Sequence, residues 1–168
     1  ENWGNVKLTL EMIDKANQEG CDIYCDVYPY TASHTSLSAR FIPKEYHSGG
    51  TNALVKNLTD VSIREKIKKV NIEKFGADDD LNWVLITKCA AYPEYKGLRL
   101  SEIAKIHGKD VYDTIFDMLI ASKNSCTACY FLMCEKDLET VLSHPRAMIG
   151  TDSSVRGNSE VYHPRLRG

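Results

Sequence analysis

The strongest candidate for a catalytic residue is an aspartate that directly follows a predicted strand. The run AMIGT, residues 147–151, is short and mostly apolar, and Asp152 comes next. In α/β barrels and open parallel sheets the working side chains lie at the carboxyl ends of strands, where a carboxylate could transfer a proton. An aspartate at such a position also commonly begins a helix or closes a turn, and the spacing alone leaves both roles open.

A second candidate site lies at another predicted strand end, in the sequence DVYPYTAS. Tyr28 and Tyr30 flank Pro29, and hydroxyl residues and His34 follow them. Because proline fixes its own backbone angle, this turn could direct a phenol hydroxyl into a pocket. Aromatic side chains beside a proline are as often simple packing residues, so the pattern does not decide between the two roles.

The histidines and cysteines do not form a recognisable metal-binding motif. None of the five histidines belongs to an HxH, HxxxH or HExxH pattern. Buried, reduced thiols are expected for the six cysteines, and the alternative is a zinc site of Cys126, Cys129 and Cys134. The sequence also lacks the GxSxG, GxxxxGK[ST] and GxGxxG motifs of serine hydrolases, P-loop proteins and dinucleotide-binding proteins.

Composition excludes several classes of protein. With 21 Lys+Arg against 23 Asp+Glu, the chain has no basic excess for binding nucleic acid. It has neither a membrane-spanning apolar run of about 18 residues nor a secretion signal at its start, so we expect a cytoplasmic protein. Its 168 residues suit one domain. A complete (β/α)8 barrel needs roughly 250 residues, which is more than this chain has. Because the chain also begins with Glu1 instead of methionine, we expect it to be a piece of a longer protein.

Hydrophobic periodicity predicts an alternation of strands and helices. Helices are predicted over residues 5–17, after Asp60 as far as Gly76, and over 102–107, 111–121 and 135–143. Strands are predicted over 22–28, 83–87, 127–133 and 147–151. This order favours parallel βα units. The basic run REKIKK is expected to face solvent, and residues 30–50 are predicted to form a long loop.

The most specific feature is an ordered series of short sequence blocks that spans the chain. These blocks are ENWGNVKLTLEMI, DVYPYTAS, VLIT after a tryptophan, YPEYKGLRLSEIA, CYFLM, HPRAMIGTD and HPRLRG. Together they resemble the N-acyl-D-amino-acid deacylases, or D-aminoacylases, of the metal-dependent amidohydrolase superfamily. The resemblance implies an α/β fold that is the C-terminal part of a (β/α)8 TIM-type barrel with an inserted small subdomain. Residues 1–37 would be a barrel βα segment, 38–125 the insertion with connecting helices, and 126–168 the final barrel strands.

The resemblance also implies a reaction and a cofactor. The family members are zinc-dependent hydrolases that remove the N-acyl group from N-acyl-D-amino acids by means of a metal-activated water. Asp152 matches the family's catalytic aspartate, which acts as general base and then as general acid. The zinc ligands of the family precede the region that this chain resembles, so we expect no metal ligand within the chain.

Four further residues are implied to bind the small-molecule substrate. Arg165 matches an arginine that binds the substrate carboxylate, and Tyr28 matches a tyrosine near the scissile amide, with Tyr30 as the alternative register. Tyr130 and Met133 match positions that line the pocket for the D-amino-acid side chain. The sequence departs from the family where Ser153 replaces a usual glycine and where His34 replaces a small hydroxyl residue, which puts the shape of the pocket in doubt more than the reaction.

Two other functions remain open at this stage. The chain could be a non-catalytic truncated or binding module that is inactive without the upstream metal ligands. It could also be part of a cyclic amidase of the hydantoinase or dihydroorotase type. If it is part of a barrel, its exposed strand edges need cover, and a homodimer of the chain would provide it.

Overall fold

The computed structural model describes residues 2–77 and 81–153, and these residues form two compact units. Of these described residues, 2–33 and 131–153 belong to unit 1, and 34–77 and 81–130 belong to unit 2. The described helices are α1 (Val6–Gln18), α2 (Leu37–Phe41), α3 (Gly50–Thr59), α4 (Val61–Phe75), α5 (Leu100–His107), α6 (Val111–Ala121) and α7 (Glu135–Leu142). The described strands are β1 (Cys25–Val27), β2 (Ser33–Ser36), β3 (Val84–Cys89), β4 (Cys126–Tyr130) and β5 (Ala147–Ile149).

Unit 1 is built around a parallel pair of short strands. β1 and β5 pair from Cys25 opposite Ala147 to Val27 opposite Ile149, and helices α1 and α7 pack against each other. The imidazole Nε2 of His144 lies 3.1 Å from Oδ1 of Asp14 and so connects the end of α7 to α1. The predicted parallel βα arrangement is confirmed for this pair of strands.

Large apolar side chains remain exposed on both the helices and the strands of unit 1. On α1, Leu8 and Met12 are exposed and Leu10 alone is buried, while Met148 and Ile149 of β5 are exposed. Parallel sheets in proteins are normally covered on both faces. Unit 1 as described therefore leaves part of its hydrophobic surface in contact with solvent.

Unit 2 contains a sheet with the strand order β2-β4-β3, and here the prediction of parallel strands is wrong. β3 and β4 are antiparallel, from Val84 opposite Tyr130 to Cys89 opposite Cys126. Two helices, α5 and α6, connect the two strands and pack against each other. Two successive helices can return the chain to the end of the sheet that it left, whereas one crossover helix would have carried it to the opposite end.

The segment 30–50, predicted as a loop, contains strand β2, helix α2 and the first residue of α3. The hydroxyl of Ser36 caps α2 by accepting a hydrogen bond from the amide of Ala39, and Leu37, Ser38 and Phe41 are buried. Elements of four and five residues are too short to show a hydrophobic period, so the prediction failed here.

The basic run at 64–69 was expected to face solvent, and this expectation is wrong for two of its residues. Arg64 and Lys68 of α4 form ion pairs with Asp113 of α6, and Arg64 also pairs with Asp117. The acidic residues recur at three- and four-residue spacing along α6 and therefore form one stripe that faces α4. Charge complementarity between two helices is a tertiary feature that the basic run alone does not reveal.

The expectation of buried thiols holds for part of the cysteines. All six are free, and Cys89, Cys126 and Cys129 are buried, but Cys21 is exposed. Cys21 follows the turn after α1, where Gly20 leaves the helix with a positive φ, and so lies outside any apolar layer.

Candidate functional site

Parallel strand pairing brings two separate candidate residues to the same edge of unit 1. Tyr28 directly follows β1, and Asp152 comes three residues after β5. The amide of Gly150 donates to the carbonyl of Val27 at 3.0 Å, so the pairing continues to the carboxyl ends of both strands. Tyr28 and Asp152 are 124 positions apart in sequence, but both follow the carboxyl end of a strand at the same edge of the sheet.

Asp152 has a backbone conformation that side-chain-bearing residues seldom adopt. Its φ is +51°, in the left-handed region, and its side chain is exposed. Strained residues of this kind cluster at functional sites, where the surrounding structure maintains them. The conformation is thus compatible with a functional position at the strand end, and aspartate tolerates it better than most residues.

Gly150 allows β5 to approach β1 closely just before Asp152. A Cβ atom placed on Gly150 would lie 3.3 Å from Cβ of Asp26, closer than ordinary van der Waals contact. A larger residue here would have to displace the neighbouring strand. The glycine in the MIGTD block consequently helps to set the path of the backbone into Asp152.

A cavity of about 290 Å³ lies within unit 1, and predicted site residues line it. Tyr28 and Tyr30 contribute one wall, and Met133 contributes another. Most of the other lining is apolar and comes from the start of the chain, β1 and α7: Asn2, Trp3, Val6, Val27, Leu132, Cys134, Asp137, Leu138 and Val141. Its size is close to the lower end for small-molecule pockets, and its apolar walls suit an aliphatic or thioether group.

The two tyrosines are held in the cavity wall by a tight turn. The amide of Tyr30 donates to the carbonyl of Tyr28 at 2.9 Å across Pro29, and the two rings meet edge to face with centroids 4.9 Å apart. The amide of Met133 donates to the carbonyl of Thr31 at 3.3 Å, which fixes the opposite segment beside this turn. Because both tyrosines line the same cavity, the geometry leaves the choice between Tyr28 and Tyr30 as a prediction.

Hydrogen bonds hold the first residues of the chain beside α7, where Asn2 and Trp3 line the cavity. The amide of Gly4 donates to both carboxylate oxygens of Asp137, at 2.8 and 3.0 Å. The indole Nε1 of Trp3 donates to the carbonyl of Leu132 at 3.0 Å. The sequence did not predict a role for Trp3 or Gly4. The only local signal was Asp137, an acidic residue in the first turn of α7.

Tyr130 does not line the described cavity. Tyr130 lies in the core of unit 2 with 1% of its surface exposed, and its hydroxyl donates to the carbonyl of Ser36 at 3.1 Å. Burial raises the pKa of this phenol. Arg165 lies outside the described residues. The cavity lining does not include Asp152, and the substrate and catalytic roles of all these residues stay predictions.

His34, where the sequence departs from the family, is buried in unit 2. Its Nε2 lies 3.0 Å from the hydroxyl of Thr87, and that hydroxyl lies 2.8 Å from the hydroxyl of Thr127. The three side chains form a buried polar chain across the sheet, which satisfies groups that would otherwise be costly to bury.

No metal site is evident within residues 2–77 and 81–153. Those residues contain no group of three or more His, Cys, Asp or Glu side chains that could hold an ion. The described donor set therefore does not fit a zinc ion. In the same ranges no helix is both long enough and apolar enough to cross a membrane.

Comparisons with known proteins identify the relatives of the chain. No protein-family model matches it. The N-acyl-D-glutamate deacylase of Alcaligenes xylosoxydans xylosoxydans is 28% identical over 169 residues, which cover 99% of this chain and 25% of the relative. The D-aminoacylase of the same organism is 28% identical over 167 residues with the same coverage.

Over nearly its whole length the chain resembles the D-aminoacylases.

Solved structures agree with this relationship. The N-acyl-D-glutamate deacylase of Bordetella bronchiseptica, crystallised with zinc and a phosphonate inhibitor, matches with a TM-score of 0.55 and 25% identity. A D-aminoacylase crystal structure matches with a TM-score of 0.51 and 28% identity. Each match covers 89% of this chain and 23% of the solved one. The predicted resemblance and the α/β fold are confirmed, and the chain spans about a quarter of the length of the curated relatives that it matches.

The D-aminoacylase relatives also carry metal. The Bordetella structure contains zinc, and another D-aminoacylase structure is described as having a binuclear metal centre. The predicted zinc cofactor of the family is therefore confirmed for these relatives.

Proposed function

We propose that the chain is the C-terminal portion of a zinc-dependent hydrolase that removes the N-acyl group from N-acyl-D-amino acids. The observation that carries this proposal is the match of 99% of the chain to two deacylases. The placement of Tyr28 and Asp152 at one strand edge supports it independently, because α/β hydrolytic sites are built at the carboxyl ends of strands. No observation on the described residues favours a cyclic amidase.

We propose that β1 and β5 are neighbouring strands of a (β/α)8 barrel. We propose that unit 2, which runs from His34 to Tyr130 where the predicted insertion had the bounds 38–125, is the inserted small subdomain. A parallel sheet of two three-residue strands is too small to be stable alone. The exposed Met148 and Ile149 supply an apolar surface against which further barrel elements would pack. In their absence, a homodimer of the chain would cover the same surface.

In this proposal Asp152 transfers a proton at the scissile amide. Its exposed carboxylate would accept a proton from the attacking water and then pass it to the nitrogen of the departing amine. Arg165 would bind both oxygens of the substrate carboxylate through its planar guanidinium. Since the described residues do not fit a zinc ion, its ligands would come from other residues of the enzyme.

The cavity of unit 1 would receive an apolar part of the substrate. Tyr28 and Met133 line it, and its volume of about 290 Å³ accommodates a side chain such as that of methionine. Its described lining contains no basic residue that would pair with a glutamate side chain. We therefore expect N-acetyl-D-methionine to be a better substrate than N-acetyl-D-glutamate.

The test is a chimera in which the 168-residue chain replaces the matching segment of the Alcaligenes N-acyl-D-glutamate deacylase. We expect a zinc-loaded chimera to deacylate N-acetyl-D-methionine, and Asp152→Asn to lower kcat by at least about 100-fold with unchanged zinc content. Asp26→Asn removes another exposed carboxylate of the same sheet and is the matched control. Near-normal activity of Asp152→Asn, or hydantoin hydrolysis in place of deacylation, would overturn the proposal.

A binding measurement on the chain itself keeps the proposal testable if the chimera does not fold. N-acetyl-D-methionine is titrated into the protein while the methyl resonance of Met133 is followed by NMR. We expect this resonance to shift with the D enantiomer and to shift less with the L enantiomer. No shift up to the solubility limit would contradict the assignment of the cavity. Stoichiometric zinc and turnover in the isolated chain would contradict the placement of the ligands elsewhere.

A further inference from the structure

Two cysteines meet at the end of the antiparallel strand pair of unit 2. Cys89 and Cys126 are opposite one another at the last position of the β3–β4 register. The thiol of Cys126 donates to the sulfur of Cys89 across 2.9 Å. Both side chains are buried, with 2% and 1% of their surfaces exposed, so the contact lies inside the unit.

The backbone places this pair at a spacing that a disulfide requires. The amide of Ala90 donates to the carbonyl of Ser125 at 3.0 Å, so Cys89 and Cys126 form a non-hydrogen-bonded pair of the ladder. In such pairs the Cα atoms are about 4.5 Å apart and the side chains are closest. Disulfides span Cα distances of about 4.4–6.8 Å. The two sulfurs could therefore be joined with little movement of the main chain.

The surroundings make the two thiols chemically unequal. The hydrogen bond from Cys126, together with the backbone amides of Tyr92 and Ala91, lowers the pKa of Cys89 to about 7 against the effect of burial. The same contact and burial raise the pKa of Cys126. The hydroxyl of Ser122 lies 3.1 Å from the sulfur of Cys126 and holds it in place. At neutral pH Cys89 therefore carries more thiolate than Cys126 and is the more nucleophilic of the two.

Cys129 shows that this arrangement is specific to one pair. It is also buried in β4, but the residue opposite it in the register is Leu85. Cys21 is exposed. These two cysteines are accordingly matched controls for burial and for access to solvent.

We propose that Cys89 and Cys126 form a redox-active dithiol site that a peroxide converts to a disulfide. The Cys89 thiolate attacks one peroxide oxygen, the O–O bond breaks, and Cys89 becomes a sulfenic acid while hydroxide leaves and is protonated to water. The sulfur of Cys126 then attacks the sulfur of Cys89, the S–O bond breaks, and a second water leaves with the proton of Cys126. Two thiols lose two electrons, and one peroxide is reduced to two waters.

The disulfide would change the stability of unit 2. It would join the end of β3 to the start of β4 and so enclose residues 90–125, which contain α5 and α6. Closing this loop removes conformations from the unfolded chain, so the oxidised form should unfold at a higher temperature. A dithiol, such as dithiothreitol, would restore the starting state.

The experiment treats the 168-residue chain with hydrogen peroxide and maps its cysteines by non-reducing peptide mass spectrometry. We expect Cys89 and Cys126 to lose their free thiols together, a peptide pair linked through these two residues, and reversal by dithiothreitol. The melting temperature should rise on oxidation in the wild-type chain and in Cys129→Ser. In Cys126→Ser the sulfenic acid on Cys89 should persist and react with dimedone.

Two outcomes would overturn the proposal. One is a wild-type chain in which Cys89 and Cys126 stay reduced at a peroxide concentration that oxidises the exposed Cys21. The other is a linked peptide that joins a different pair of cysteines. The wild-type peptide map decides between these outcomes even if the serine variants fail to fold.

Discussion

Replacing Asp113 by asparagine should lower the free energy of unfolding of unit 2 by about 1–3 kcal/mol. The carboxylate of Asp113 accepts hydrogen bonds from Nε of Arg64 at 2.9 Å and from Nζ of Lys68 at 2.7 Å. Asparagine has nearly the same shape but no charge, so the substitution removes two ion pairs and leaves the packing of α4 on α6 in place.

The magnitude follows from the partial burial of the three side chains. Their exposed fractions are 29% for Asp113, 22% for Arg64 and 30% for Lys68. Fully exposed ion pairs contribute about 0.2–1 kcal/mol each, while hydrogen bonds to charged groups contribute about 1.5–3 kcal/mol when they are well shielded. Two pairs at intermediate exposure therefore add to about 1–3 kcal/mol, of which salt should remove a part.

The same carboxylate makes the effect depend on pH. Burial acts to raise the pKa of Asp113, but hydrogen bonds with Asp110, Lys68 and Arg64 outweigh it and hold the pKa well below its usual value. A depressed pKa contributes stability that is fully present above the unfolded value of about 3.9 and is lost as the pH falls through the folded value. The difference between wild type and Asp113→Asn should be constant from pH 5 to 7 and should shrink below about pH 4.

Urea unfolding followed by far-ultraviolet circular dichroism, at pH 7 and at pH 3, measures both effects. Glu65→Gln is the matched control, because Glu65 is an exposed carboxylate on α4 for which no ion pair is described. A loss below about 0.5 kcal/mol, the usual range of surface substitutions, would refute the reasoning. So would a loss equal to that of Glu65→Gln, or one that is unchanged at pH 3.

Three further predictions concern packing. Tyr112→Phe removes the hydroxyl that donates to the carbonyl of Gly76 at 2.6 Å. We expect the free energy of unfolding, measured with urea, to fall by about 1 kcal/mol. An unchanged free energy would show that water replaces the hydrogen bond. Ile115→Ala empties a fully buried position and should cost about 2–5 kcal/mol in the same assay, and a cost below 1 kcal/mol would mean that the core collapses around it. Gly150→Val places a side chain against Asp26, so amide hydrogen exchange at residue 150 should become faster, whereas unchanged protection would contradict the close strand contact.

Local sequence signals predicted five of the seven α-helices in the described part of the chain and missed α2 and α3. The helix predicted over residues 111–121 is α6, with the same bounds, and the carboxylate of Asp110 caps it by accepting from the amides of Tyr112 and Asp113. Asp60 caps α4 in the same way through Ser62 and Ile63. A cap acts within three residues of itself, which is why its effect is visible in the sequence alone.

A second group of failed predictions concerns contacts between distant parts of the chain. The antiparallel direction of β3 and β4 depends on the two helices, α5 and α6, that connect them. The residues of the two strands do not themselves predict this direction. The ion pairs of Arg64 and Lys68 depend on the acidic stripe of α6, which lies more than forty residues later. Such features arise from packing, and no local period encodes them.

The sequence by itself determined the family resemblance, five of the helices and the candidate residues, because capping, periodicity and ordered blocks are properties of neighbouring residues. Only the tertiary structure decided which of those residues meet. It placed Tyr28 and Met133 around one cavity, Tyr130 in the core of unit 2, and Cys89 against Cys126. The reason is strand register: side chains alternate between the faces of a sheet, so the pairing of strands distant in sequence selects which side chains touch.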